Sequence, residues 1–247
     1  MDTFEKVSKL IKDAKNIVVI TGAGISTASG IPDYRGEHGV YVIDPGLFDT
    51  LSIRTLKSNP EKFYDYFEKM LHGIHMAKPN AAHLLIAEWA SKSGKNITVV
   101  TQNIDSLHTR AGSEDVLELH GHARTFKYLN PYKQDVFSAA EVVDESGTIA
   151  YKQGGGIIRP CVVLFGEMLN EDDFLEAEYK LSKADLILVL GTSLTVYPFS
   201  GLVNYSDEKI PLVVINKESP PVLRGNVTFL EGDIVEIMIS LNDKLKE

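Results

Sequence analysis

The sequence predicts an α/β fold: a doubly wound parallel sheet carrying a smaller domain formed from two insertions. Three observations predict it. First, six short apolar runs recur along the chain, at Ile17–Ile20, Ile97–Val100, Val162–Phe165, Leu186–Leu190, Leu212–Ile215 and Val227–Leu230. They are nearly continuous rather than alternating, as strands buried on both faces of a parallel sheet are. Second, helical patterns such as Ala81–Ser91 and Asp172–Ser182 lie between them. Such βαβ alternation places ligands at the carboxyl ends of the strands. Third, two stretches break the alternation. Gly36–Met76 holds Asp44-Pro45-Gly46 and the cluster Phe63-Tyr64-Asp65-Tyr66-Phe67, and reads as helices with loops. His122–Gly156 is polar, with a tyrosine-rich start, and closes on Gly154-Gly155-Gly156. The expected division is a large subdomain over about 1–35, 77–121 and 157–247, and a small one over about 36–76 and 122–156.

Composition narrows the class. A net charge of −9, from 34 acidic and 25 basic residues, argues against sequence-independent nucleic-acid binding, which needs a basic footprint. It is compatible with lysine-bearing protein substrates. No apolar run approaches the roughly 18 residues of a membrane span. Met1-Asp2-Thr3-Phe4-Glu5-Lys6 lacks the basic-then-apolar order of a signal peptide. Cys161 is the only cysteine, which excludes an internal disulfide and a four-thiolate zinc site. A cytoplasmic location is the expectation, with neither membrane nor nucleic acid as a partner.

The first apolar run leads into Thr21-Gly22-Ala23-Gly24-Ile25-Ser26, followed by Ser29-Gly30-Ile31-Pro32-Asp33-Tyr34-Arg35. Glycines after a buried strand allow a tight turn and close backbone approach to a ligand. A helix opening near Ser26 would present its N–H groups to an anion, an arrangement suited to a pyrophosphate.

The second run ends in Thr101-Gln102-Asn103-Ile104-Asp105-Ser106-Leu107-His108. Asn103 offers a donor and an acceptor, and ionised Asp105 only acceptors, a pair able to grip a carboxamide such as that of nicotinamide. The competing reading makes Asp105 the cap of a short helix ending at Gly112. Leu117-Glu118-Leu119-His120-Gly121-His122 supplies two candidate bases near neutral pH, and spacing alone does not choose between His120 and His122. Ile158-Arg159-Pro160, Phe165-Gly166-Glu167, Gly191-Thr192-Ser193-Leu194, Val196-Tyr197-Pro198 and Asn216 place further small polar groups at or near strand ends. Together they line a crevice in the way a nucleotide site is lined.

In this order the motifs resemble the sirtuin family, and the resemblance covers nearly the whole chain. It implies a Rossmann-like NAD domain with a small domain made from two insertions. The implied activity is NAD-dependent removal of acyl groups from lysine side chains of proteins or peptides, yielding nicotinamide and O-acyl-ADP-ribose. The implied cofactor contacts are Gly22, Ala23, Gly24, Ser26, Asp33, Tyr34, Arg35, Gln102, Asn103, Ile104, Asp105, Gly191, Thr192, Ser193 and Asn216, with Ile234 packing near the adenine. Ile31–Arg35 looks like the start of a cofactor loop leading into the small domain. Asn103 and His120 are the implied catalytic residues, His120 taking a proton from a ribose hydroxyl; the resemblance thus favours His120 over His122. Val163, Phe165, Gly166 and Glu167 on one loop, and Leu194, Val196 and Tyr197 on another, would receive the substrate backbone as an added strand. A mono-ADP-ribosyltransferase or NAD hydrolase on the same fold is the alternative enzyme. A non-catalytic NAD sensor is the alternative of another class.

The chain departs from the family in two places. Sirtuins resembling this one carry two Cys-x-x-Cys pairs for structural zinc between the His-Gly and Arg-Pro motifs. By approximate alignment Tyr128, Pro131, Tyr151 and Gly154 stand there. No zinc is expected, and Phe126, Tyr128, Tyr132, Phe137 and Tyr151 are expected to form an aromatic core in its place. Sirtuins preferring acidic acyl groups carry Tyr and Arg three residues apart on the helix after the cofactor loop; here Phe67 follows Tyr64 at that spacing. An apolar pocket and a neutral acyl group, acetyl or longer, are therefore expected.

Overall fold

The computed structural model describes residues 2–34, 39, 40, 44, 46–220 and 226–246. In these residues the strands are β1 Asn16–Thr21, β2 Asn96–Thr101, β3 Val116–Glu118, β4 Gly121–Tyr128, β5 Val136–Ser138, β6 Lys152–Gln153, β7 Gly156–Val162, β8 Leu186–Leu190, β9 Leu212–Asn216 and β10 Val227–Glu231. The helices are α1 Thr3–Asp13, α2 Leu47–Thr50, α3 Ile53–Ser58, α4 Pro60–Met76, α5 Ala81–Ser93, α6 Leu107–Arg110, α7 Ala139–Val142, α8 Glu171–Ser182 and α9 Ile234–Lys246.

The large sheet has the order β10-β9-β8-β1-β2-β3, and every pairing in it is parallel. Its apolar runs are continuous because both faces are covered. Ile17 and Val19 of β1 pack with Val7, Ile86 and Met238 from α1, α5 and α9, while Val18 and Ile20 pack on the opposite face with Ala177 and Leu181 of α8. Burying each such side chain contributes about 1.5–3 kcal/mol. Helix ends follow local chemistry. Asn80 caps α5 by accepting the Ala82 N–H at 3.0 Å, and the helix stops at Gly94 in the left-handed region. Asn170 caps α8 in the same way, and Glu171, Asp172 and Asp173 complement the dipole of its first turn.

Strand order reverses between β1 and β8, so the carboxyl ends of these two strands flank the crevice where open α/β sheets hold ligands. Thr21, the last residue of β1, stands in register with Thr101 on one side and Leu190 on the other.

A second, antiparallel sheet has the order β5-β4-β7-β6. It corrects one reading. Val162–Phe165 is not a strand of the large sheet: β7 ends at Val162 and pairs with β4, and Phe165 makes only an isolated bridge to Ser52. Apolar continuity could not tell a buried parallel strand from the apolar exit of a small-domain strand. The stretch His122–Gly156 supplies most of β4 and all of β5 and β6. β4 buries Ala123, Phe126 and Tyr128 on one side, and this spacing was obscured by polar residues between them. The short edge strand β3 also escaped the sequence reading, because its three residues are only half-buried.

The small sheet and α4 share one aromatic core. Phe63, Tyr64, Phe67 and Phe126 are almost wholly buried; Tyr64 and Tyr151 stack at 4.5 Å, and Phe67 meets Phe126 edge-on at 6.3 Å. Tyr128 meets Phe137 edge-on at 5.4 Å and carries the Lys133 ammonium over its other face. Tyr132 does not join this core. It is 92% exposed, in a turn where its N–H is held by the Asn130 side chain. Tyr64 and Phe67 both belong to this core. The Tyr64 hydroxyl donates to the Ile158 carbonyl at 2.6 Å.

Candidate active site

The glycines after β1 serve the switch point itself. A Cβ on Gly22 would lie 2.8 Å from the Thr192 Cβ, and one on Gly24 2.8 Å from the Gly191 Cα. Gly191, with φ of +62°, returns the fit: its Cβ would lie 2.4 Å from the Ile25 nitrogen. The loops after β1 and β8 therefore interlock backbone to backbone, sealed by the Gly24 N–H on the Gly191 carbonyl at 2.9 Å. The sequence reading aimed these glycines at a ligand; the contacts a Cβ would first meet are with the opposite loop. The segment that follows, Ala23–Ser29, is a 3-10 turn, not the start of an α-helix.

Behind this turn lies a buried polar cluster. Ser26 donates to Asp105 Oδ2 at 2.7 Å, and Asn103 Nδ2 donates to the Gly22 carbonyl at 3.0 Å and to Ser26 Oγ at 3.2 Å. Asp105 Oδ1 accepts the Leu107 N–H at 2.8 Å. One Asp105 oxygen thus supports the first turn of α6, and the other faces the Ser26–Asn103 cluster. Ser106, not Asp105, is the capping residue, and Ala111 rather than Gly112 ends the helix. Burial raises the Asp105 carboxyl above its ordinary range, against the bonds from Leu107 and Ser26.

On the β8 side, Gln102 Nε2 donates to Thr192 Oγ1 at 2.9 Å, and Asn216 Nδ2 reaches the Thr192 carbonyl at 3.4 Å. Ser193 and Thr195 share a hydroxyl contact at 2.8 Å. Ile234, at the start of α9, lies against Gly191. Ala23 is half-buried at the start of the turn; Asp33 and Tyr34 are half-buried beyond it, with Tyr34 against the small-domain core. Ile104 packs partly on the same core, and its carbonyl accepts the Ala123 N–H at 3.0 Å. Arg35 lies outside the described residues.

His120 stands between the two sheets, directly before β4. Its Nδ1 lies 2.9 Å from the Gln102 carbonyl, which can only accept, so Nδ1 carries the proton and Nε2 bears the free lone pair. Burial lowers the pKa of the imidazole, partly offset by the Gln102 carbonyl. Gly121 is required beside it: at φ of +72°, its Cβ would lie 2.1 Å from the Cys161 carbonyl oxygen. His122 points elsewhere, near Arg124 and Glu118, and its Nδ1 is buried without a partner.

With this geometry in place, known proteins are informative. The Sir2 family model matches residues 22–198. The chain belongs to the Sir2 family. An NAD-dependent protein deacetylase 1 of Pyrobaculum aerophilum is 36% identical over 99% of this chain and 96% of its own length. An NAD-dependent protein deacetylase of Clostridium tetani is 38% identical over 96% of this chain and 98% of its own. Among solved structures, a Sir2 enzyme from work on Sir2 mechanism and regulation superposes with a TM-score of 0.86 at 34% identity, covering 99% of this chain and 98% of that one. A Sir2 complex with a p53 peptide and NAD+ has a TM-score of 0.82 at 33% identity, with the same coverage.

In this Sir2 chain the two candidate substrate loops are built differently. The loop after β7 is held by a bidentate ion pair: Arg159 Nη1 and Nη2 meet the Glu167 carboxylate at 2.5 and 2.6 Å. Arg159 also donates to the Val162 carbonyl at 2.7 Å, and Glu167 accepts the Leu164 N–H at 2.9 Å. Glu167 therefore turns its carboxylate inward. Val163 gives its N–H to the His120 carbonyl, and Phe165 pairs its N–H with Leu51 and its carbonyl with Ile53. Gly166 between them is exposed. On the loop after β8, Leu194 is buried among Phe199 and its neighbours, Val196 is half-buried, and Tyr197 is 85% exposed. Sequence reading gave Arg159 only as part of a motif. Its role as the brace of Glu167 needed the fold, since the two approach only when β7 turns back.

Proposed function

We propose that this Sir2-family chain is an NAD-dependent protein lysine deacylase that removes acetyl groups, releasing nicotinamide and O-acetyl-ADP-ribose. The observation that carries this reading is His120, whose Nδ1 is held by the Gln102 carbonyl just before Asn103 and Asp105, leaving Nε2 as the basic nitrogen. The deacetylase relatives and the family's complexes with peptide and NAD support it. NAD supplies, when bound, a glycosidic bond whose cleavage leaves a ribose carbon able to take the acyl oxygen.

The chain's own residues fit that chemistry. The Gly22–Ser26 turn, Thr192, Ser193 and Asn216 would hold the phosphate and ribose portions, and Ile234 would pack near the adenine. Asp105, with the Ile104 backbone, would bind the carboxamide, and Asn103 would orient the reacting ribose. His120 Nε2 would accept a ribose hydroxyl proton, a contribution of about 10²–10⁴-fold. The peptide would enter as an added strand, with Gly166 and the Leu194–Tyr197 segment offering main chain to it, because Phe165 already uses its own. The reading is tested by incubating an acetyl-lysine peptide with and without NAD. Loss of the acetyl mass only with NAD, matched by nicotinamide release, is expected; acetyl loss without NAD would refute it.

The pH profile follows from His120. Its folded pKa lies below the usual value of about 6.5 because burial disfavours the charged ring. The base form persists down to that lowered pKa, so the acidic limb of kcat/KM, which reports the free enzyme, is expected below about pH 6.5. A limb centred above neutrality would contradict this assignment.

We also infer that the small domain holds no structural zinc. The four positions aligned with the family's cysteines are Tyr128, Pro131, Tyr151 and Gly154, and their chemistry does not suit the ion. Tyr128 closes over the Gly154 turn, where a Cβ on Gly154 would fall 2.5 Å from its hydroxyl, and Lys133 donates to the Gly154 carbonyl at 2.8 Å. Tyr151 is stacked on Tyr64. Among the described residues no three His, Cys, Asp or Glu side chains cluster as metal ligands. Chelation is expected to leave activity and Tm unchanged; stoichiometric zinc in the purified protein would overturn the inference. No helix among the described residues is long and apolar enough to cross a membrane.

A further inference from the structure

Beneath the proposed catalytic loop two histidines are sealed in the core. His83 of α5 and His108 of α6 are 0% and 2% exposed, and their rings pack with centroids 4.7 Å apart. Their hydrogen-bond partners fix both tautomers. The Asn80 N–H donates to His83 Nδ1 at 3.3 Å, so the neutral ring carries its proton on Nε2. The Thr21 hydroxyl donates to Thr101 Oγ1 at 2.8 Å, and so its oxygen must accept from His108 Nε2, 3.0 Å away. The neutral His108 ring then has a bare Nδ1. Burial favours neutrality in both, taking His83 down to about 4 and His108, also beside His83, to about 3.

Two orphans result. His83 Nε2 is a buried donor and His108 Nδ1 a buried acceptor, and neither has a partner. They are opposite in sense and sit on touching rings. Leaving both unmade is unfavourable.

The pair also lies at the middle of a polar circuit around the site. On one side Asn80 Nδ2 donates to the Ile25 carbonyl at 2.8 Å and to Ser29 Oγ at 3.0 Å, fixing the turn that bears Ser26. On the other, His108 leads through Thr21 to Thr101, whose hydroxyl oxygen accepts the Asn103 N–H at 3.0 Å. Ser26 and Asn103 then meet at the far end.

We propose that His83 and His108 are positioning residues, a neutral pair joined Nε2–H to Nδ1, that lock Asn103 and the Ser26 turn in the geometry the reaction needs. The catalytic part of this proposal rests on the deacylase reading; the tautomers do not. Nitrogen-15 NMR of the full chain near neutral pH is expected to show both rings in the Nε2–H form, with a hydrogen-bond coupling between His83 Nε2 and His108 Nδ1. A His108 ring protonated on Nδ1 would overturn the pair whatever the enzyme does. In kinetics, His108→Gln keeps an N–H donor for Thr21 and His108→Leu does not. His108→Leu is expected to lose kcat by on the order of 10²-fold, the scale of a 1 Å misplacement, with KM for the peptide little changed. His108→Gln is expected to retain most of the rate. Equal losses in two folded variants, or a loss carried by KM, would refute the positioning role. A wild-type chain that shows the coupling but no NAD-dependent deacylation would instead sink the functional reading.

Discussion

His120→Ala is expected to lower turnover of an acetyl-lysine peptide by on the order of 10²–10⁴-fold, with little change in Tm. The size follows from the role. The free Nε2 lone pair of His120, set by the Gln102 carbonyl on Nδ1, disappears with the ring. His122 does not substitute, because it faces Arg124 and Glu118. His122→Ala is therefore expected to retain far more activity than His120→Ala. The two variants, compared for kcat and for melting by circular dichroism, separate base from bystander. A fully active His120→Ala enzyme would remove the base from this account.

Glu167→Leu is expected to destabilise the fold by about 3–5 kcal/mol, the cost of leaving one member of a buried ion pair alone. The Arg159 side chain is only 10% exposed and that of Glu167 24%, so water cannot replace the lost carboxylate on the guanidinium. The backbone N–H of Leu164 loses its acceptor as well. Equilibrium denaturation measures the change; a loss under about 1 kcal/mol would place the pair with surface ion pairs. The same pair carries a pH dependence. Burial alone would raise the Glu167 carboxyl, but Arg159 and the Leu164 N–H outweigh it and hold it below its ordinary range. A depressed folded pKa gives stability that is present above the unfolded value and lost as pH falls through the folded one. Wild-type stability should thus decline below about pH 4.3, the ordinary Glu range, and the decline should be smaller in Glu167→Leu.

Much of the large domain could be read from the chain because burial on both faces writes continuous apolar runs. β1, β2, β9 and β10 each contain the run expected of them, extended by a residue or two of polar flank, and β8 coincides with its run. The small domain was less legible. Its strands alternate, and β4 places Ala123, Phe126 and Tyr128 inward at uneven spacing across a register shift. Val162–Phe165 misled for the converse reason, being apolar where it leaves a small strand. The polar residues of the crevice were visible as strand-end chemistry, but their partners were not. That Gly22 and Gly24 face Gly191 and Thr192 depends on strand order, which places β8 beside β1 across the long chain between Thr21 and Leu186. His83 and His108 were least visible of all. A histidine on a helix face and one after a loop carry no mark of meeting under the site.

The central claim is that one crevice splits NAD and passes the acyl group to the ribose. Mass spectrometry of the products from wild-type enzyme, acetyl-lysine peptide and NAD tests it most directly. The account predicts nicotinamide and O-acetyl-ADP-ribose in equal amounts, with deacetylated peptide. ADP-ribosylated protein, or free ADP-ribose with the peptide still acetylated, would contradict it.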